Sequence, residues 1–197
     1  MANGWPAEND LRTRLAALIG SPPRTAAPLV VEWHGTTYRF ASRSYADLTR
    51  FTDGEGARRN GGRFTPIGGQ RTLYLSLDRA TATAELDSWY TYYQVPDTAF
   101  QPRVLAAVGV SVGRLLDLTA PDTLATFDLT AALVAEEWRP ASDTGGVAPT
   151  QTFGRLVYEA GFEGIRFTSS RRDSGSNLAL FPDNFGVGSH AVMLNSE

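Results

Sequence analysis

The chain has 197 residues, 42% of them hydrophobic and 20% charged, which fits one soluble domain or one domain with an appendage. A net charge of -3 gives no global pull toward nucleic acid or an anionic membrane, and the longest apolar run, around residues 104–112, is far too short to span a bilayer. There is no cysteine and no lysine, which excludes disulfides, thiolate nucleophiles, lysine Schiff bases and a Walker-type phosphate lysine.

The opening MANGWPAEND has no basic region ahead of an apolar stretch, so no signal peptide is expected and the expected location is cytoplasmic. Leu11, Leu15, Leu18 and Ile19 then recur at helical spacing, which predicts a helix over 9–19 capped by Asn9 or Asp10 and ended by Pro22 and Pro23. Residues 20–28 read as a linker. Residues 29–33 and 37–41 are expected to pair as a hairpin across His34 and Gly35. Residues 42–71 lack apolar periodicity and are rich in turn signals, so they read as a long structured loop, which in a compact domain usually carries function.

The LYLS run at 73–76 predicts a strand, and Asp78 is placed to cap a helix reaching about Tyr92. Two strands, 104–112 and 115–118, are expected to join at Gly113. Helices are predicted over 131–138 and 151–160, the second closed by Gly161, with a flexible surface loop at 140–150. Three late strands are expected at 164–167, 177–181 and 191–194. Strands and helices do not alternate as βαβ units, which argues for an α+β fold rather than a doubly wound sheet.

Chemistry concentrates between Tyr38 and Glu85. From Arg39 to Arg71 there are seven arginines against Asp47, Asp53 and Glu55, and glycines stand at 54, 56, 61, 62, 68 and 69. Guanidinium groups beside bare backbone suit an anionic ligand such as a pyrophosphate. A lone carboxylate downstream, Glu85, suits a developing positive charge, although a solvated helix glutamate is its ordinary reading. Arg39 sits in a predicted strand, where a charge needs either a ligand or a buried acid. Arg63 after Gly61 and Gly62 fits a second phosphate contact or a surface-loop arginine equally well. Tyr74 reads as a half-buried strand residue or a ring that stacks on a base, and Tyr45 is a second aromatic candidate. Trp89, Tyr90, Tyr92 and Tyr93 read as core or as a partner interface. His34 and His190 are expected to be structural, and nothing calls for a metal.

Taken in order, Tyr38-Arg39, Gly54-Glu55-Gly56-Ala57, Gly61-Gly62-Arg63-Phe64, Leu73–Ser76 and Thr83-Ala84-Glu85 resemble the RES domain family, named for its Arg, Glu and Ser. Thr150-Gln151 and the run GFEGIRFTSSRR leading into NLALF continue the likeness, so that it spans roughly 38–181. Phe64, Thr65 and Asn60 depart from the family's usual residues. The resemblance implies a single ADP-ribosyltransferase-like α+β domain over 29–197, with a split or mixed β-sheet core and flanking helices. Residues 1–28 would form an N-terminal helix and linker. It also implies NAD as substrate, held without a metal, and a toxin restrained by a cognate Xre-type antitoxin, with a homo-oligomer possible.

By the same resemblance Glu85, Arg39, Tyr74 and Ser169 carry the reaction, with Ser170 as the alternative serine. Arg39, Tyr45, Gly61, Gly62, Arg63, Tyr74 and Ser169 hold the dinucleotide. Hydrolysis of the nicotinamide–ribose bond is the expected activity. Thr83 stands where many protein-modifying relatives of this fold carry a second acid two residues before the glutamate, which leans away from transfer of ADP-ribose to a protein. A nucleotide- or partner-binding module without turnover is the reading from a different class.

Overall fold

Apolar side chains at helical spacing and strands of alternating burial fold the chain around a closed sheet. The computed structural model describes residues 4–19, 29–42, 48–99 and 103–196. The helices are α1 (Glu8–Ile19), α2 (Leu48–Phe51), α3 (Glu55–Asn60), α4 (Arg79–Tyr92), α5 (Pro121–Thr126), α6 (Ala131–Ala135), α7 (Arg139–Asp143) and α8 (Pro149–Glu159). The strands are β1 (Val30–Ser42), β2 (Leu73–Ser76), β3 (Arg103–Asp117), β4 (Gly164–Thr168), β5 (Ser176–Leu180) and β6 (His190–Ser196). Short 3-10 turns cover Asp97–Ala99 and Pro182–Asn184.

The strands run β1-β2-β5-β4-β3-β6, and β1 also pairs with β3, so five of them close into a ring with β6 outside it. Only β3 and β4 are parallel; the other pairs are antiparallel. This is the expected α+β domain, with a mixed sheet at its centre. Ala106, Val108, Val110 and Val112 are buried at every second position of β3, the period that one buried face of a strand requires. They share a core with Phe51, Leu73, Leu75, Leu178 and Leu180. A second core joins Phe64, Phe153, Leu156, Ile165 and Phe181 to Trp5, Leu11 and Leu15, so that α1 packs into the same body as the sheet.

The structure corrects several expected elements. Residues 30–42 form one strand, not a hairpin: His34 and Gly35 continue the ladder opposite Ser111 and Val110. The expected pair 104–112 and 115–118 is likewise one strand. Trp33 pairs with Val112 and Val31 with Leu115, so β3 carries one extra residue at Gly113–Arg114; the glycine marks a β-bulge rather than a turn. The region expected as a loop contains α2 and α3. The helix expected over 131–138 stops at Ala135, and the expected flexible loop at 140–150 contains α7, with Ser142 and Ala148 buried. By contrast β2 and the Asp78-capped helix form as read, with Asp78 accepting from the Thr81 N–H at 2.9 Å.

Helix α8 seats against the loop before β2. A Cβ on Gly154 would fall 2.1 Å from the Phe64 carbonyl oxygen, a backbone atom that cannot step aside. Gly154→Ala is therefore expected to destabilise the fold by about 3 kcal/mol or more, the upper end of overpacking costs. Urea unfolding checks this, and an unchanged midpoint would refute the close seating.

Candidate functional site

Residues 62–65 make a tight turn closed by Gly62 N–H to the Thr65 carbonyl (2.9 Å) and Thr65 N–H to the Gly62 carbonyl (3.1 Å). Four side chains hold it. The Tyr74 hydroxyl accepts from the Phe64 N–H at 2.7 Å, and Gln70 Nε2 donates to the Phe64 carbonyl at 2.8 Å. Gln151 Nε2 donates to the carbonyls of Gly62 (3.1 Å) and Thr65 (3.2 Å), while its Oε1 accepts from the Ala148 N–H. Arg63 Nη1 donates to the carbonyls of Val134 (2.8 Å) and Glu136 (2.7 Å), and its Nη2 to Ser170 Oγ (2.8 Å). The glycines have local reasons. Gly61 closes α3 at φ 77 and ψ 175, a region open to glycine alone, and a Cβ on Gly62 would meet the Tyr74 ring at 2.5 Å.

The turn walls a cavity of about 700 Å³. Six arginines line it (39, 59, 63, 103, 139 and 171) against a single carboxylate, Glu85. Arg39, Gly61, Gly62, Arg63, Tyr74 and Glu85 thus meet in one place, as the sequence pattern implies. Tyr45 lies outside the described residues. Ser169 reaches the site through Glu85: its Oγ donates to Glu85 Oε1 at 2.7 Å. Asn177 Nδ2 donates to the same oxygen at 2.8 Å, and Ser76 Oγ fixes that amide by donating to its Oδ1 at 2.8 Å. Oε2 has no hydrogen-bond partner among the described residues. The two neighbouring serines therefore divide the work: Ser169 orients the carboxylate and Ser170 receives Arg63.

Burial sets the electrostatics. Arg39 donates from Nη1 to the Phe51 carbonyl at 2.8 Å and lies 5.3 Å from the Phe51 ring centroid. Loss of water pushes its guanidinium down to about 10, against the pull of Asp53; it stays charged at neutral pH. Burial also lowers Arg63, opposed chiefly by the charges of Glu85 and Glu137. Glu137 sits outside the cavity lining and takes hydrogen bonds from both Arg139 and Arg171. Its own burial pushes its pKa up, but those two guanidinium groups outweigh that and leave it below the ordinary carboxylate range.

Two of the expected ligand-holding groups are already engaged within the protein. The Arg63 fork is engaged by protein oxygens, so its main work is to anchor the turn. The Tyr74 hydroxyl is engaged as well, which leaves its ring rather than its oxygen as the surface toward the cavity. Trp89 and Tyr93 of the aromatic cluster are 38% and 43% exposed and belong to the cavity wall, not to the core. Sequence reasoning missed Asn177, Gln151, Arg139 and Arg171. Only Asn177, a polar residue at the head of the apolar run LALF, carried a sequence signal.

The description "RES domain" belongs to a family model that matches residues 36–193, and the chain belongs to that family. Among solved structures, the M. tuberculosis MbcT–MbcA toxin–antitoxin complex contains a chain similar to this one, with a TM-score of 0.73 at 19% identity, covering 97% of this chain and 93% of that one. No curated protein matches by sequence. Among the described residues, no helix is long and apolar enough to cross a membrane.

Burial pushes the Tyr74 phenol from 10.0 up to about 12, against hydrogen bonds from Thr65 and the Phe64 N–H and the charge of Arg63. A raised pKa contributes stability that is complete below the unfolded value and lost as pH climbs through the folded one. The wild type should therefore lose stability between about pH 10 and 12 more steeply than Tyr74→Phe. At neutral pH the same variant should cost about 1–3 kcal/mol by leaving the Phe64 N–H unpaired. Denaturation followed over pH checks both; parallel curves for the two proteins would contradict the assignment.

Proposed function

We propose that the cavity takes NAD and that the chain breaks its nicotinamide–ribose bond with water as acceptor. The observation that carries this is the clasp on Glu85. One carboxylate oxygen is fixed by Ser169 and Asn177, while the other has no partner among the described residues, and the other charged residues described in the cavity lining are all arginine.

The chemistry follows from that arrangement. The bond from ribose C1′ to the nicotinamide nitrogen breaks, and its electron pair leaves with the ring, which becomes neutral nicotinamide. Positive charge spreads over the ribose ring, as in glycoside cleavage. Glu85 Oε2 accepts a hydrogen bond from a ribose hydroxyl and faces that charge, so the carboxylate interacts more strongly with the transition state than with bound NAD. Ser169 and Asn177 hold the carboxylate before the charge appears, so little reorganisation is needed. Water then adds to C1′ and its proton passes to bulk solvent, leaving ADP-ribose. The arginines hold the phosphates, and the ring of Tyr74 offers a flat surface to a base.

Water is favoured over a protein acceptor by residue 83. Its position two residues before Glu85 holds a threonine whose hydroxyl donates to the Arg79 carbonyl at 3.0 Å, so no acid stands there to orient a protein nucleophile. A chain that consumes NAD needs restraint in the cell that makes it. The similar solved chain comes from a toxin–antitoxin complex. We read this protein as a toxin held by a cognate antitoxin, which for this family is expected to be of the Xre type.

Purified protein incubated with NAD should release free nicotinamide and ADP-ribose. Glu85→Gln should lower turnover by about 100- to 1,000-fold, the usual loss on removing a preorganised electrostatic group, with folding intact. Ser169→Ala should lower it less, since Asn177 still holds the carboxylate. Nicotinamide release at the wild-type rate from folded Glu85→Gln would sink the mechanism, and ADP-ribose found attached to an added protein would replace hydrolysis with transfer.

A further inference from the structure

The six cavity arginines are not equivalent. Arg63 donates to three protein oxygens. Arg59 is paired with Glu55 on an exposed helix, and Arg103 donates to the Tyr90 hydroxyl and lies over the Trp89 and Tyr90 rings. Arg139 and Arg171 differ from these. Both bond Glu137, so two cations share one anion and a unit of positive charge is left over. Of the two guanidinium groups, Glu137 engages only Nη1 of Arg139 and Nη2 of Arg171. The opposite terminal nitrogen of each guanidinium has no acceptor among the described residues, and the Nε of each is buried without one.

Arg139 is 7% exposed and held between two rings, its guanidinium carbon 5.2 Å from the Tyr92 centroid and 5.3 Å from that of Trp138. Tyr92 is fixed in turn by donating to Asp143 at 2.8 Å. The entropy of ordering this arginine has therefore been lost in folding rather than on binding, which favours affinity. A buried guanidinium with donors to spare is a poor arrangement for stability alone.

We propose that Arg139 and Arg171 form the phosphate-binding wall of the cavity and take a phosphate of the nucleotide substrate. This rests on reading the cavity as a nucleotide site. It moves the main anion contact away from Arg39 and Arg63, where the sequence pattern puts it. The planar guanidinium fork matches two phosphate oxygens, and Glu137 holds the pair at a fixed angle while leaving one terminal nitrogen of each free to donate.

Titration calorimetry of the wild type with ADP, adenosine and inorganic phosphate tests the proposal. ADP should bind about 10- to 100-fold more tightly than adenosine, the span expected for one or two charge-assisted hydrogen bonds. In Arg171→Gln that preference should shrink to less than about threefold. If Arg171→Gln fails to fold, Arg139→Lys keeps the charge and most of the packing, lacks the planar fork, and should show the same loss. Equal binding of ADP and adenosine by the wild type, or an undiminished ADP preference in either folded variant, overturns the proposal. So does Arg171-dependent binding of inorganic phosphate without any preference for ADP. Intact NAD after incubation would remove the reaction proposed above, yet an Arg171-dependent ADP preference would still support the wall.

Discussion

The contact between the Phe64 carbonyl and Gly154 governs the rest of the molecule. It brings a helix to within backbone distance of a four-residue turn, and no larger residue fits between them. Once the turn is seated, Gln151 from that helix can reach two of its carbonyls, and the Tyr74 hydroxyl can reach the Phe64 N–H. Arg63 then has one direction available, toward the end of α6 and Ser170. One wall of the cavity is therefore backbone, fixed by two amides, a phenol and a buried guanidinium.

Charge is distributed with equal economy. The chain as a whole is acidic, yet six of its arginines converge on one cavity, and Glu137 and Glu55, which pair with three of them, lie outside its lining. Glu137 steadies two guanidinium groups without lining the cavity, and Glu55 does the same for Arg58 and Arg59 on the surface of α3. Taking guanidinium groups out of water costs free energy, visible as the downward push of burial on Arg39 and Arg63. The single exception to the positive lining, Glu85, is held by neutral donors, so its negative charge is oriented without being cancelled by a close ion pair.

Local signals were legible in the sequence and long-range ones were not. Asp78 caps its helix through a contact three residues away, and the strand after Thr72 is bounded by clear changes in composition. Gly35 and Gly113 misled because a glycine in a strand signals a turn and a bulge alike, and only the partner strand decides between them. In the site, Arg39 was visible as a charge in a predicted strand and Glu85 as a lone carboxylate after the arginine-rich stretch, whereas Ser169 came from the family resemblance. Asn177 was hidden because its partner is 92 positions away, and Gln151 because it reaches back 89. Arg139 and Arg171 stood in segments whose composition suggested surface, and only folding brings them to one carboxylate.

Among the described residues, the cavity is lined by guanidinium groups and by neither lysine nor histidine. Guanidinium holds its proton at every pH a living cell reaches. The positive charge that lines the cleft is thus insensitive to acidification or alkalinisation of its surroundings. Acetyltransferases, which erase positive charge one ammonium at a time, would find no lysine on this chain to modify.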